Sequence, residues 1–429
     1  MLKVTKFGGS SLCDSAAFAR VRELVLADPA RRVVVVSAPG KRHAADHKIT
    51  DLLYLCHAHL QYGVSCWDLW RRVSDRFREI RDGCAVACPI ERTLEEIYAA
   101  FGSNTPQDWI VSRGEYLAAQ LMAQLLGFTF VDAKDWLLFD AQGRVRQEAS
   151  YAALRSLADG RKIVTPGFYG AAPDGAVHTL SRGGSDVTGA LAAAALRADL
   201  YENWTDVPGV LAADPRIVPD PAPVPALRYG EVHMLAQTGM QVLHEDAVAP
   251  VAQAQIPLRI CSVRAPEAPG TMVCAQLPAE AGPEAVCFAG RRSLAMLRVS
   301  GSAGQDAPAR LAGICREADI EPFSMQSVCG GVTALLPMQP GSAALCRLQD
   351  AVCAALRGAR CTLRENLSVI ACLCRHTRAA PAAALAMEAA GVPVHHQFTA
   401  DGCAFLTVND SQYEAALCAA YAARAAAEN

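Results

Sequence analysis

Apolar residues in the first two thirds of the chain follow two rhythms. Short runs rich in β-branched residues predict strands at Leu2–Phe7, Arg32–Ser37, Thr129–Asp132, Lys162–Thr165, Leu200–Trp204 and Leu258–Ser262. Between them lie stretches with helical spacing: Ala16–Ala27, a long region from Thr50 through Ile97, Glu115–Leu126 and the Ala-rich Ser185–Leu196. Runs such as RVVVVS lack polar alternation, so both faces of those strands must be covered. The pattern therefore predicts an α/β domain with a largely parallel sheet between helices. Pro39-Gly40 and Pro166-Gly167 stop two of the strands. Asp214–Arg228 holds several prolines and reads as an ordered loop. Ala265–Gly282, rich in Pro and Gly, places a domain boundary near Gly282–Arg291.

The remainder reads as an internal repeat with a period of about 72 residues. LAMLRVSG at Leu294 pairs with LSVIACLC at Leu367, ADIEPFSMQS at Ala318 with GVPVHHQFTA at Gly391, and GGVTALLP at Gly330 with GCAFLTVN at Gly402. Each copy runs strand, helix, strand, strand, helix, which is the ferredoxin-like βαββαβ pattern with its last strand unassigned. The expected domains are 1–282, 291–365 and 366–429.

Composition narrows the function. Of 429 residues, 52% are hydrophobic and 19% charged, which excludes a disordered chain. Forty basic against 43 acidic residues leave a net charge of −3, with no electrostatic footprint for nucleic acid or an anionic membrane. No stretch approaches the roughly 18 apolar residues of a membrane span, and MLKVTKFGGSSL has no apolar signal-peptide region. The 17 cysteines are odd in number, form no C-x-x-C pair and sit mostly in apolar stretches. They read as reduced, buried thiols of a cytoplasmic protein. His43, His47, His57 and His59 lack carboxylates in metal-ligand grouping and read as surface or packing residues; no metal site is assigned.

Three segments carry chemistry. In Lys6-Phe7-Gly8-Gly9-Ser10-Ser11, glycines after a strand let the backbone approach an anion, a following helix offers free N–H groups, and Lys6 can place an ammonium on a phosphoryl group. A tight turn would look similar. The segment is neither a Walker A loop nor a G-x-G-x-x-G fingerprint. In Ser181-Arg182-Gly183-Gly184-Ser185-Asp186-Val187-Thr188, Arg182 offers a planar fork to a carboxylate, and Asp186 can bind an ammonium or help position metal-bound phosphate. The plainer alternative makes Ser185 or Asp186 a helix cap and Arg182 a surface charge. Two such glycine-rich helix openings favour phosphate chemistry. The third segment, Trp204–Gly209 with Ala213-Asp214-Pro215-Arg216, starts at a strand's C-terminal end, where open α/β sheets bind ligands; its Pro-Gly and Asp-Pro pairs are also ordinary turn formers.

The ordered set KFGGSS, VVVVSAPGK, ITDLL, SRGEYL, TPGFYG, SRGGSD, WTDVPGV, ADPR and VLHEDA resembles the aspartate kinases of the amino acid kinase superfamily over roughly Met1 to Gly282. The C-terminal repeat resembles their paired ACT regulatory units. The resemblance implies transfer of the γ-phosphoryl of MgATP to the side-chain carboxylate of L-aspartate, giving 4-phospho-L-aspartate for lysine, threonine and methionine synthesis. It implies ATP and Mg²⁺ as cofactors, a lysine or threonine effector, and a homodimer through the ACT-like units. It makes Lys6 and Asp186 catalytic, and Thr50, Glu115 and Arg182 substrate-binding. Lys6, Phe7, Gly8, Gly9, Thr205, Asp206, Leu211, Asp214, Arg216, Gln241 and Val242 fall in its nucleotide-binding set. Three positions depart from the pattern: Gln241 stands where many members carry a lysine, Leu211 where an aromatic is common, and Ser181 where glycine is common. The alternatives are another kinase of the superfamily, acting on glutamate, acetylglutamate or UMP, and a catalytically silent amino-acid sensor.

Overall fold

The computed structural model describes the whole chain except residues 182, 241–242, 244, 278–284, 302–305, 329, 340, 357, 376–378, 401 and 428–429. Two compact units emerge: one of residues 1–210, 223–233 and 241–281, the other of 211–222, 234–240 and 282–429.

The first unit begins β1 (Lys3–Phe7), α1 (Ser15–Leu26), β2 (Arg31–Val36). The long helical region then resolves into α2 (Ile49–Gln61), α3 (Trp67–Gly83) and α4 (Ile90–Ala99), followed by α5 (Gln107–Val111), α6 (Arg113–Leu126), β3 (Thr129–Phe130), α7 (Gln147–Ala158) and β4 (Ile163–Pro166). A hairpin of β5 (Tyr169–Ala171) and β6 (Val177–Thr179) precedes α8 (Gly184–Leu196), β7 (Leu200–Thr205), β8 (Ala226–Arg228), α9 (Tyr229–Gln237), α10 (Glu245–Gln253), β9 (Leu258–Ser262) and β10 (Thr271–Cys274).

Eight strands form one sheet in the order β3-β4-β2-β1-β7-β9-β10-β8, parallel except between β9 and β10. All four valines of β2 are buried, because both faces are covered. Val34 and Val36 join the core built with α1, α2, α3 and α6, while α8 packs on the other face against β1, β2 and β7. The segments expected to be loop, 214–228 and 265–282, each contain one short strand, β8 and β10. The prolines and glycines around them read as loop and mask the short apolar runs.

The second unit is a six-stranded antiparallel sheet, β12-β13-β11-β14-β16-β15. Its elements are β11 (Ala285–Gly301), α11 (Ala307–Glu317), β12 (Ser324–Val328), β13 (Gly331–Pro337), α12 (Ser342–Ala355), β14 (Ala359–Cys374), α13 (Ala379–Ala389), β15 (His396–Ala400), β16 (Cys403–Asn409) and α14 (Tyr413–Ala427). Each half is a ferredoxin-like βαββαβ unit, and the two long strands serve both. Residues 294–301 of β11 open the first half and 359–364 of β14 close it. Residues 367–374 of β14 open the second half, and its fourth strand is 285–291, the start of β11. The strand that the repeat left unassigned is thus supplied, in each half, by the other long strand. Both strands change register at Arg291/Leu294, where Ser293 (φ 59°) and Asn366 (φ 58°) take left-handed backbone. Asp410 buttresses that bulge, accepting from the Ser293 N–H (3.0 Å) and the Ser368 hydroxyl (2.6 Å) and pairing with Arg292 (3.0 Å). Ala295, Leu297 and Val299 face α11 and α12, whereas Ile370 and Cys372 face α13 and α14.

Candidate functional site

The site lies at the C-terminal ends of the parallel strands of the first unit. Lys6, near the end of β1, points to the α8 side of the sheet. Its ammonium meets Asp186 Oδ1 in the first turn of α8 at 2.6 Å, both side chains largely out of solvent. Asn203 on β7 donates its side-chain N–H to the same oxygen (2.8 Å), and the Tyr201 hydroxyl donates to the Asp186 carbonyl (3.0 Å). Four residues from three elements thus fix one carboxylate beside one ammonium.

Both glycine segments wrap this pair. Gly8 continues β1 in extended conformation, its N–H donating to the Trp204 carbonyl, and Gly9–Leu12 forms a single 3₁₀ turn. Gly9 has no room for a side chain: a Cβ there would lie 2.7 Å from the Ala38 carbonyl oxygen. The Gly40 N–H bonds the Gly9 carbonyl at 2.7 Å, so the turns after β1 and β2 are pressed backbone to backbone. Buried Arg76 of α3 ties them further, donating to the Cys13 and Gly40 carbonyls and pairing with Asp46 at 2.6 Å. Asp46 is desolvated, which raises its pKa. Hydrogen bonds from Arg42 and the His47 N–H, with the Arg76 charge, outweigh this and hold it well below the usual carboxylate range.

One expectation about this loop changes. The α-helix after the glycines has its start capped from within the chain, Asp14 accepting from the Ala17 N–H, and it is separated from the glycines by the 3₁₀ turn. Donors near Lys6 come instead from the 3₁₀ turn, whose preceding Gly8 makes no side-chain cap. The second segment keeps its open helix start. Gly183, with φ 74°, occupies the cap position without a side-chain bond, so neither Ser185 nor Asp186 is the cap.

Glu115 is the most unusual group. It lies in the first turn of α6, 5% exposed, and its Oε2 has no hydrogen-bond partner. Burial pushes its pKa up to about 7, although the N–H groups of Ala38 and of Glu115 itself pull the other way. The tight packing of Gly114 on Ala38 and Ile49 brings the start of α6 against the turn after β2. Half-buried Thr50 is at the start of α2, whose Ile49 N–H bonds the Pro39 carbonyl. Thr50 and Glu115 therefore sit on the same turn that contacts Gly9. The Ser11 hydroxyl is also buried and unpartnered.

The remaining residues divide. Thr205 and Asp206 end β7 beside β1, the Thr205 hydroxyl donating to Asp206 at 3.2 Å. The Phe7 side chain is fully buried and stacks on Trp204 (6.0 Å), so the core takes it up. Leu211, Asp214 and Arg216 fold with the second unit, where Asp214 and Arg216 pair with each other at 2.6 Å. Arg182, Gln241 and Val242 lie outside the described residues. Asn203 and Ser11 were not singled out from sequence. For Asn203 the available signal was a polar residue inside an otherwise buried strand; the Ser11 hydroxyl gave none.

Among the described residues no group of three or more His, Cys, Asp or Glu side chains could hold a metal ion, and no helix is long and apolar enough to cross a membrane. The site offers an ammonium and helix-start N–H donors, which suit phosphate, and beside them a buried carboxylate oxygen without a donor, which suits a substrate ammonium.

An ammonium and two glycine turns gathered at strand ends of a sheet covered on both faces agree with what the comparisons give: the chain belongs to the amino acid kinase family, whose model matches residues 1–262. Within that family it is similar to aspartate kinases. The crystal structure of the Clostridium acetobutylicum aspartate kinase superposes with a TM-score of 0.87 at 30% identity, covering 99% of each chain. Escherichia coli aspartokinase III in complex with lysine and aspartate (T-state) gives 0.71 at 25% identity, again over 99% of each. Aspartokinase 3 of Bacillus subtilis (strain 168) is 36% identical over 297 residues, 66% of this chain and 65% of that protein. The chain spans just under two thirds of the length of the curated relatives it matches first, 65% and 64%.

Proposed function

We propose that the chain is an aspartate kinase, transferring the γ-phosphoryl of MgATP to the side-chain carboxylate of L-aspartate to give 4-phospho-L-aspartate. The observation that carries this is the pairing of Lys6 with Asp186 (2.6 Å) between two glycine turns, beside a buried carboxylate, Glu115, with a bare oxygen. A carboxylate nucleophile needs no general base at neutral pH. The task is to bring two anions into line and offset their repulsion as charge shifts to the leaving oxygen.

In this reading Lys6 stabilises the transferring phosphoryl group, and Asp186, Asn203 and Tyr201 hold its ammonium in place. Backbone N–H groups of the turn that starts at Gly9 and of the α8 start line the phosphates. Glu115 and Thr50 hold the amino-acid end, the substrate ammonium supplying the partner that Glu115 Oε2 lacks. Arg182 receives the second carboxylate. Thr205, Asp206, Leu211, Asp214, Arg216, Gln241 and Val242 belong to the nucleotide side. Mg²⁺ carried by the nucleotide would neutralise part of the phosphate charge, a task Lys6 and the backbone N–H groups share.

The likeness to the lysine-bound E. coli enzyme, together with the paired ferredoxin-like halves, supports lysine as effector and a homodimer through the second unit. The protein is assigned to the cytoplasm, consistent with its thiol-rich composition. The test is ATP- and aspartate-dependent formation of an acyl phosphate trapped with hydroxylamine, run beside glutamate, acetylglutamate and UMP. Hydroxamate with aspartate alone is the expected result. Folded protein with MgATP and no hydroxamate would refute the proposal.

A further inference from the structure

The opposite end of the same sheet carries a second concentration of charge. A cavity of ≈ 600 Å³ opens there, lined by Leu2 and Val33, by the ends of α7 and α8, and by four arginines: Arg32, Arg155, Arg161 and Arg197. The end of α8 accounts for Arg155, whose Nε donates to the Ala195 carbonyl in the last helical turn. It does not account for Arg32, which sits on a strand.

Arg31 and Arg32 make the contrast plain. Arg31 is spent on Glu202, which it holds through two N–H groups at 2.7 and 3.2 Å. Arg32 is the extra residue where the pairing of β1 with β2 shifts register, and it lines the cavity. Among the described residues no carboxylate lies within ion-pair distance of Arg32, Arg161 or Arg197. Of the nearby acids, Asp199 is engaged by the Leu2 N–H at 2.6 Å, and Asp159 on the rim is the one carboxylate among the lining residues. Crowding unpaired guanidiniums around one opening is unfavourable until an anion enters. Their planar forks match the two-oxygen edge of phosphate or carboxylate.

A second cavity of ≈ 540 Å³ shares Arg155 and Arg197 as its wall and continues over Tyr151, Pro250, Ile256 and Pro257, with Gln147, Gln253 and Gln255 and the already engaged Asp199 also lining it. We propose that these joined cavities form a binding site for a small organic polyanion. Its phosphate or carboxylate groups sit among Arg32, Arg161 and Arg197, and its less polar body lies along Tyr151 and Pro257. The site is separate from the one at the strands' other ends, about 17–20 Å away along β1 and β2.

The test is calorimetric titration of the full chain at low salt, where exposed charge is least screened, with inorganic pyrophosphate and with citrate as probes. Arg32→Ala/Arg161→Ala is expected to weaken the tighter probe at least tenfold at an unchanged melting temperature, and Lys6→Ala to leave it as it is. The tighter of the two probes identifies phosphate or carboxylate as the preferred group. If the double variant melts lower, Arg161→Gln alone, at an exposed position, must still weaken binding severalfold. Neither probe binding below millimolar concentration, affinity unchanged by the arginine variants, or affinity lost in Lys6→Ala would overturn the proposal.

Discussion

Two buried ion clusters lie on opposite faces of the sheet at β1, β2 and β7, one weighted toward the strands' starts and one toward their ends, and they differ in completeness. At the lower end Glu202, fully buried, is saturated: Arg31 holds it with two N–H groups, Lys3 lies at 3.4 Å and the Trp204 Nε1–H donates at 3.1 Å. At the upper end Lys6 and Asp186 are paired, but Glu115 Oε2 and the Ser11 hydroxyl are buried without partners. A saturated network fixes strand register. An unsaturated one carries a desolvation penalty that the fold retains until a ligand relieves it. The same strands therefore hold a structural cluster and a functional one, told apart by counting unmet hydrogen bonds rather than by charge.

Breaking the lower cluster is expected to have the largest effect. Glu202→Ala leaves the Arg31 charge without its carboxylate, while Lys3 keeps Asp28 at 2.7 Å, and should cost about 3–5 kcal/mol in urea unfolding, with turnover per folded molecule nearly unchanged. Lys6→Ala should do the reverse, lowering kcat by about 10²–10³-fold with a smaller change in aspartate affinity and a modest change in stability. Equal stability losses from the two variants would erase the distinction.

The next effect is on pH. The folded pKa of Glu115, about 7, lies above its ordinary value of 4.5. Between those values the fold keeps a proton that the unfolded chain releases, so this group's contribution to stability falls as pH rises through the window. Binding a substrate ammonium needs the ionised form. Aspartate affinity should therefore climb with pH to a plateau above 7, losing up to about tenfold per unit below it. In Glu115→Gln that slope should vanish. The smallest effect belongs to Asn203→Ala, which frees one bond to Asp186 and should lower kcat about tenfold, close to 1.4 kcal/mol, leaving the melting temperature within a few degrees.

Much of this arrangement was readable from residue order. The valine run of β2 announces a strand covered on both sides, and glycines directly after β1 mark where the backbone must come close to something. The hairpin β5–β6 and strands β8 and β10 were invisible because each lies in a stretch punctuated by Gly or Pro, which reads as loop, whereas β3 and β4, as short, stand in unbroken apolar runs. At the site, Lys6 and Asp186 were legible because each adjoins a glycine turn. The capping of α1 by Asp14 was not, since Asp14 is separated from the glycines by a 3₁₀ turn that no periodicity signals. Glu115 was legible only through the resemblance of SRGEYL to a family segment; nothing in LYENWT marked Glu202 as buried and fully partnered, which its three-dimensional neighbours alone reveal.

The exchange of strands in the second unit has a consequence for how the molecule is made. Residues 285–291 emerge from the ribosome ahead of the first ferredoxin-like half and can bond the Ala212 carbonyl through the Phe288 N–H, but their strand partner, 367–374, does not yet exist. The first half, 294–364, is in effect an insertion that can close on its own while this early strand stays unpaired. Completion of the second half then clasps the first between its own opening and closing strands, so the last segment synthesised locks the earliest one in place.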